Sequence, residues 1–196
     1  MQVLKNIFQV GGDINGITFD VPDALWNDGN SYILKTEGGL IMFDCGCGDT
    51  MEQIFNNMRY WDLQPEDIRY CILTHPHYDH AGGAHILKER GVKLVAIGET
   101  ADAVASGDER CCGYLYHKIF TPVTVDQLVK DGEKFSLLGV EIEAMHLPGH
   151  SMGCTAFLFE WTGKKLVISG DVIGTLLVGD FGWDGSIDFD KKIYTE

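Results

Sequence analysis

His75-Pro76-His77-Tyr78-Asp79-His80 sets three imidazoles and a carboxylate within six residues. The run follows the apolar, strand-like Tyr70-Cys71-Ile72-Leu73-Thr74 and precedes Ala81-Gly82-Gly83-Ala84, which reads as a helix opening. The junction of strand end, short loop and helix start is where an α/β sheet places its chemistry. Pro76 lacks a backbone donor and biases His75 toward extended backbone, so the histidines do not share a regular helical turn. An extended loop instead turns His75 and His77 to one point, while Asp79 and His80 face another. Neutral imidazole with carboxylate suits Zn²⁺, and iron or manganese also accept such donors.

Two further candidate ligands lie downstream in similar settings. His150 stands in Leu147-Pro148-Gly149-His150-Ser151, after the strand-like residues 140–145. Asp171 closes Leu166-Val167-Ile168-Ser169-Gly170-Asp171, where an apolar strand meets a glycine turn. A lone Gly-Asp after a strand is usually a turn. With the first cluster, however, these two raise the count to four histidines and two aspartates at expected strand ends, enough for two metal ions sharing a bridging carboxylate.

This pattern resembles the metallo-β-lactamase superfamily, with its Thr-His-x-His-x-Asp-His loop followed by a distant His and then an Asp. The resemblance runs from Asn30-Ser31-Tyr32-Ile33-Leu34 through Ile41-Met42-Phe43-Asp44-Cys45-Gly46 to Ser169-Gly170-Asp171. It implies that His75, His77 and His150 hold one metal, that Asp79 and His80 hold a second, and that Asp171 bridges them. It also implies that Asp44 supports the site from behind, as ligating histidines commonly require. Flavodiiron proteins carry Glu where His77 stands. The commonest zinc β-lactamases use Cys where Asp171 stands and lack a His at position 80. The pair Asp171 and His80 therefore points toward glyoxalase II-like and lactonase-like hydrolases.

One departure from the family pattern concerns the second metal, which normally takes a further His from a segment near the carboxyl end. No histidine follows Asp171, and the sequence ends at Tyr194-Thr195-Glu196 where another helix would begin. The expectation is a chain truncated in its second half, with a weakened or water-completed second site as the alternative. His146 and His117 do not match the family's position for the absent ligand.

The chain has 196 residues, 45% of them apolar, and reads as one domain spanning residues 1–196 with ample material for a core. Neither a signal peptide nor an apolar stretch of membrane-spanning length is read, making the cytoplasm the expected compartment. Six cysteines are placed as reduced thiols, with Cys71 inside a strand, Cys111 beside Cys112, and Cys45 separated from Cys47 by one glycine. The net charge of −14, from 15 basic and 29 acidic residues, opposes nucleic-acid binding. A small-molecule substrate is the expected partner.

Strand-like runs at residues 7–10, 31–34, 40–43, 93–97, 135–138, 140–145, 155–160 and 165–169 alternate with helical ones. Met51, Ile54, Phe55 and Met58 recur at helical spacing, and residues 84–90 read as a second helix. Glu37-Gly38-Gly39 reads as a hairpin turn. Two mixed sheets packed face to face with helices outside accommodate this α/β (α+β) pattern, and the resemblance implies the four-layer αββα sandwich. A second half incomplete at the carboxyl end would expose apolar surface, through which a homodimer would form. The aromatic-bearing residues 16–29 and 106–122 read as lids or pocket walls, or else as segments packed on the sandwich.

The expected chemistry is hydrolysis of an ester, thioester or lactone by hydroxide generated on zinc, with two ions per chain and Asp79 orienting the nucleophile. Ser151 beside His150 has no triad partners and reads as a turn hydroxyl. Two alternatives accompany this reading. One is a mononuclear iron oxygenase of the persulfide dioxygenase kind, using His75, His77 and His150. The other is a truncated domain that binds metal without turnover.

Overall fold

A computed structural model describes residues 1–12 and 28–173. Seven strands form the larger sheet in chain order: β1 (Gln2–Leu4), β2 (Ile7–Gly11), β3 (Ser31–Thr36), β4 (Gly39–Phe43), β5 (Ile68–Ile72), β6 (Lys93–Ile97) and β7 (Gln127–Val129). β1 to β4 pair antiparallel and β4 to β7 parallel. The parallel half needs crossovers, and helices supply them. α1 (Met51–Tyr60) links β4 to β5; α2 (Tyr78–Ala81) and α3 (Ala84–Glu89) link β5 to β6; α4 (Gly98–Ser106) follows β6. A smaller antiparallel sheet has the order β11-β10-β9-β8, from β8 (Lys134–Leu137), β9 (Val140–His146), β10 (Thr155–Trp161) and β11 (Lys164–Ile168).

Side-chain alternation decides how the sheets meet. In β9, Val140, Ile142 and Ala144 are buried while Glu141 and Met145 are exposed. The inward set joins Phe135, Leu137, Phe157 and Phe159 against Ile7, Leu34, Ile41, Phe43, Ile72 and Val95 of the larger sheet. Phe43 stacks on Phe159 across this interface with ring centroids 5.6 Å apart. The opposite face of the larger sheet, including Ile33, Met42, Cys71 and Leu94, packs against apolar side chains of all four helices, and Met51, Ile54, Phe55 and Met58 are the inward stripe of α1. Three of the four expected layers are thus present among the described residues: helices, large sheet and small sheet.

The structure moves several expected boundaries. The strand read at residues 70–74 is β5, which ends at Ile72 and leaves Thr74 to the loop. Gly39 belongs to β4, so the hairpin turn narrows to Glu37 and Gly38. β1, β7 and α4 had no clear sequence pattern. The segment 106–122 is not an irregular loop. It contains 3-10 turns at Glu109–Cys111 and Gly113–Tyr116, and it buries Cys111, Cys112 and Phe120. Most of the expected lid at residues 16–29, and everything beyond residue 173, lies outside the described residues. Among the described residues, no helix is long and apolar enough to cross a membrane.

Candidate metal centre

The site forms where β4 and β5 end, roofed by two loops of the smaller sheet. Asp44, directly after β4, adopts φ 53°, a left-handed conformation uncommon for a residue with a side chain. This turns its carboxylate back over β5. His77 is extended (ψ 150°) and caps α2, so Asp79 and His80 leave from the first helical turn while His75 and His77 leave from the strand-like loop. Backbone bonds pin the loop from three directions: Cys45 N donates to His80 O (2.7 Å), Gly29 N to Asp79 O (2.9 Å) and Thr155 N to Thr74 O (2.9 Å). His150 arrives on the β9–β10 turn and Asp171 on a 3-10 turn after β11. Gly170, at φ 51°, makes that approach tight, because a Cβ there would stand 2.4 Å from Thr74 Oγ1.

Five of the six expected ligand residues fall into two donor groups among the described residues, while Asp79, expected to hold the second metal with His80, is in neither. His75, His77 and His150 form one group and His75, His80 and Asp171 another, each with one donor atom per residue within 4.8 Å of the others. His77 Nδ1 and His150 Nε2 face each other at 3.0 Å. The two oxygens of Asp171 divide between the groups, Oδ1 lying 3.2 Å from His80 Nε2 and Oδ2 3.5 Å from His150 Nε2. Asp79 Oδ2 lies 3.5 Å from His80 Nε2. The imidazoles are buried, whereas the Asp79 and Asp171 side chains are 21% and 25% exposed, so the cluster opens on its carboxylate side.

Behind the imidazoles, Asp44 organises a relay. Its Oδ1 accepts from Thr74 N (2.8 Å), and its Oδ2 accepts from Thr74 Oγ1 (2.7 Å) and from His80 Nδ1 (2.8 Å). Because the Thr74 hydroxyl spends its proton on Asp44, its oxygen is left to accept from His75 Nδ1 at 3.0 Å. The network therefore assigns the Nδ1–H form to both His75 and His80 and leaves Nε2 of each for the site. Thr74 opens the signature loop in the sequence, but its part in this relay had no sequence signal.

Burial, followed by the neighbouring imidazoles of His80, His77 and His150, pushes the His75 pKa well below its usual 6.5. His75 is thus a neutral ring with a lone pair to offer. For His80, burial also opposes protonation, but the charges of Asp171, Asp79 and Asp44 outweigh it and lift the pKa well above 6.5. Burial likewise resists ionisation of Asp171, and His80, His150 and His77 overcome it, holding the carboxylate well below its usual range. In the metal-free centre His80 therefore holds a proton against the Asp171 carboxylate.

These donors fit zinc. His75 Nε2 is buried and has no hydrogen-bond partner among the described residues, a cost that a metal ion removes. Ligand nitrogens about 2.0 Å from a tetrahedral zinc stand about 3.3 Å apart, close to the 3.0 Å between His77 and His150. The other histidines stay outside. His146 Nε2 pairs with Met152 O at 2.8 Å, and neither it nor His117 joins a donor group among the described residues. Cys45 and Cys47 are buried and are likewise absent from those groups among the described residues. Ser151 Oγ accepts from Gly153 N at 3.2 Å, the turn hydroxyl expected of it.

Two face-to-face sheets with a His/Asp cluster at the ends of the central strands define an αβ-sandwich with a candidate metal centre. The chain belongs to the metallo-β-lactamase superfamily, whose family model matches residues 24–196. Solved structures agree. A motif mutant of the metallo-β-lactamase from Cronobacter sakazakii (Enterobacter sakazakii) is 30% identical with a TM-score of 0.70, over 86% of this chain and 62% of that one. The native enzyme FEZ-1 from Legionella gormanii is 25% identical with a TM-score of 0.75, over 100% of this chain and 71% of that one. BJP-1 of Bradyrhizobium japonicum, a subclass B3 metallo-β-lactamase, is 27% identical with a TM-score of 0.74, over 100% and 70% respectively. The chain thus spans less than two thirds of the Cronobacter protein's length.

Proposed function

We propose that the protein is a hydrolase holding two zinc ions, acting on a small-molecule ester, thioester or lactone. The observation that carries this reading is the division of Asp171, with one oxygen toward His80 and the other toward His150, an arrangement that lets one carboxylate serve both groups. His75, His77 and His150 would hold one ion, Asp79 and His80 the other, with Asp171 shared. Zinc bound there supplies a water acidified to a pKa of about 7 and a Lewis acid for the carbonyl oxygen. Asp79, on the open side of the cluster, orients the attacking water and carries its proton to the leaving group. The buried histidines exclude solvent from beneath, and Asp44 and Thr74 hold two of the rings. The net charge of −14 supports a small molecule over nucleic acid as substrate.

The names of the similar solved structures favour a second substrate class, the β-lactam amide. Both readings share the centre and separate in one experiment. Protein purified without chelator is analysed for metal, then assayed on thioester, ester, lactone and β-lactam substrates, beside the Asp79→Asn variant. The expected result is two zinc ions per chain and turnover abolished by chelation. Asp79→Asn should lower kcat about 10²- to 10⁴-fold, the range for a positioned proton carrier, with KM little changed. Turnover confined to β-lactams would transfer the assignment to that class. One iron per chain with oxygen consumption would refute hydrolysis.

A further inference from the structure

We propose that Thr100, in the first turn of α4, is a positioning residue for His150: its hydroxyl clamps the turn that carries this ligand. The inference rests on the reading of His75, His77 and His150 as one metal position. Residues 147–154 join β9 to β10 and hold His150 near their middle. Bonds within the turn give it a shape: Leu147 N donates to Cys154 O at 2.8 Å and Gly149 N to Ser151 O at 3.1 Å. They do not fix where the turn stands against the larger sheet and its helices. That comes from outside it, and Thr100 supplies the contact with the helical layer.

A Thr hydroxyl commonly bonds to backbone near it in sequence. Thr100, fully buried, instead donates from Oγ1 to Gly153 O at 2.9 Å, a partner 53 residues away and three residues past His150. Gly153 permits the approach, because a Cβ there would clash with Thr100 Oγ1 and stand 2.9 Å from Thr100 N. The same carbonyl accepts from Thr155 Oγ1 at 3.0 Å, and Thr155 N donates to Thr74 O at 2.9 Å. One carbonyl thus ties the His150 turn to α4 and, through Thr155, to Thr74, whose hydroxyl orients His75. These ties set His150 against its neighbours, with its Nε2 3.0 Å from His77 Nδ1. Groups that orient metal ligands typically contribute 10- to 100-fold to affinity. Thr100 acts through backbone, which places it at the lower end of that range.

The test uses Thr100→Val and Thr100→Ala, which both remove the hydroxyl, the first with the volume nearly kept. Beside them stand Thr100→Ser, which restores the donor, and Val104→Ala, which loosens the same helix at a buried position of the helical core. Metal-free proteins are titrated with zinc against a chromophoric chelator, and with cobalt(II) followed by visible absorption. His150→Gln identifies the equivalent bound at the three histidines, and only that equivalent is compared, so the result holds whether the chain binds one zinc or two. It should bind about tenfold more weakly in Thr100→Val and Thr100→Ala, with a changed cobalt spectrum, and as in the wild type in Thr100→Ser. Val104→Ala should lower the melting temperature and leave affinity and spectrum unchanged. Wild-type affinity and spectrum without the hydroxyl would overturn the role of Thr100 while leaving the metal position intact. Weakening in Thr100→Ser or Val104→Ala equal to that in Thr100→Val would assign the effect to helix packing, which also overturns the proposal. A wild-type chain that takes up no zinc, or a His150→Gln variant that binds it as the wild type does, would overturn the metal position and the role of Thr100 together.

Discussion

Replacing Asp44 by Asn tests the relay with almost no change in volume. In the wild type, Asp44 Oδ2 receives two donors, Thr74 Oγ1 at 2.7 Å and His80 Nδ1 at 2.8 Å, while Oδ1 receives Thr74 N at 2.8 Å. The backbone N–H of Thr74 is a fixed donor, so the Asn carbonyl must keep that place and the Asn amide must occupy the position of Oδ2. There it confronts two groups that were donating. Thr74 resolves the conflict by rotating its hydroxyl to donate to His75 Nδ1, 3.0 Å away, and accepting from the amide. His75 must then carry its proton on Nε2, the atom required for metal. His80 loses its acceptor, and its Nδ1–H form loses the same support. A hydrogen bond to a charged group is worth about 1.5–3 kcal/mol, and about 1.4 kcal/mol corresponds to a factor of ten. Both metal equivalents should therefore bind about 10- to 100-fold more weakly. Chelator competition measures the affinities, and long-range ¹H–¹⁵N NMR of the metal-free imidazoles reads the tautomers directly. Wild-type affinity for both equivalents, or His75 still protonated on Nδ1 in the variant, would refute the relay.

The raised pKa of His80 makes metal binding a proton-releasing event, since ligation at Nε2 needs the neutral ring. Calorimetric titration with zinc at pH 7, in buffers of different ionisation enthalpy, should show about one proton released with the second equivalent, and a buffer-independent heat would contradict this. In the metal-free fold the stabilisation from His80 is fully present below pH 6.5 and is lost as pH rises through the raised pKa, so the melting temperature should fall across that window. His75 acts with opposite sign: its lowered pKa removes stability as pH falls below 6.5, and a metal-free melting curve flat in both directions would argue against the assigned charges. Gly170→Ala should lose about 1–2 kcal/mol from left-handed backbone and displace Asp171, because its Cβ would stand 2.4 Å from Thr74 Oγ1. Gly91→Ala, at φ 83° with nothing within 4 Å, is its control for backbone strain alone. Equal melting temperatures and equal affinity for the second zinc in these two variants would mean the close approach to Thr74 has no consequence.

The candidate ligands were legible because they are crowded by chain geometry. A loop between a strand end and a helix start has few residues, so donors that must converge have to be near neighbours, and His75, His77, Asp79 and His80 are. His150 and Asp171 were legible for a related reason, each standing at a glycine turn directly after an apolar strand. The central strands were equally readable, since burial alternates along β9 and runs continuously through β2 and β4. Elements with few buried side chains left little pattern. β1 is three residues long with two exposed, and α4 buries only Thr100, Ala103 and Val104. Such segments form because neighbours supply hydrogen bonds or a surface to pack on, not because their own sequence demands it.

The residues that orient the ligands follow a different rule, and this is why they were harder to read. A ligand is recognised by its type, but a supporting group needs only to be a donor or acceptor brought within about 3 Å, and Thr, Tyr and Asp are common everywhere. Thr74 was visible as the first residue of the Thr-His-x-His-x-Asp-His loop, but its role appears only once β4 and β5 are paired and Asp44 N meets Ile72 O at 2.9 Å. Asp44 fell between the two cases, because family resemblance marked its position while its left-handed backbone, which aims the carboxylate, had no sequence signal. The local motif thus specifies which atoms are available to bind metal. The long-range pairings specify which tautomer and which carboxylate oxygen they present, and the affinity of the centre depends on both.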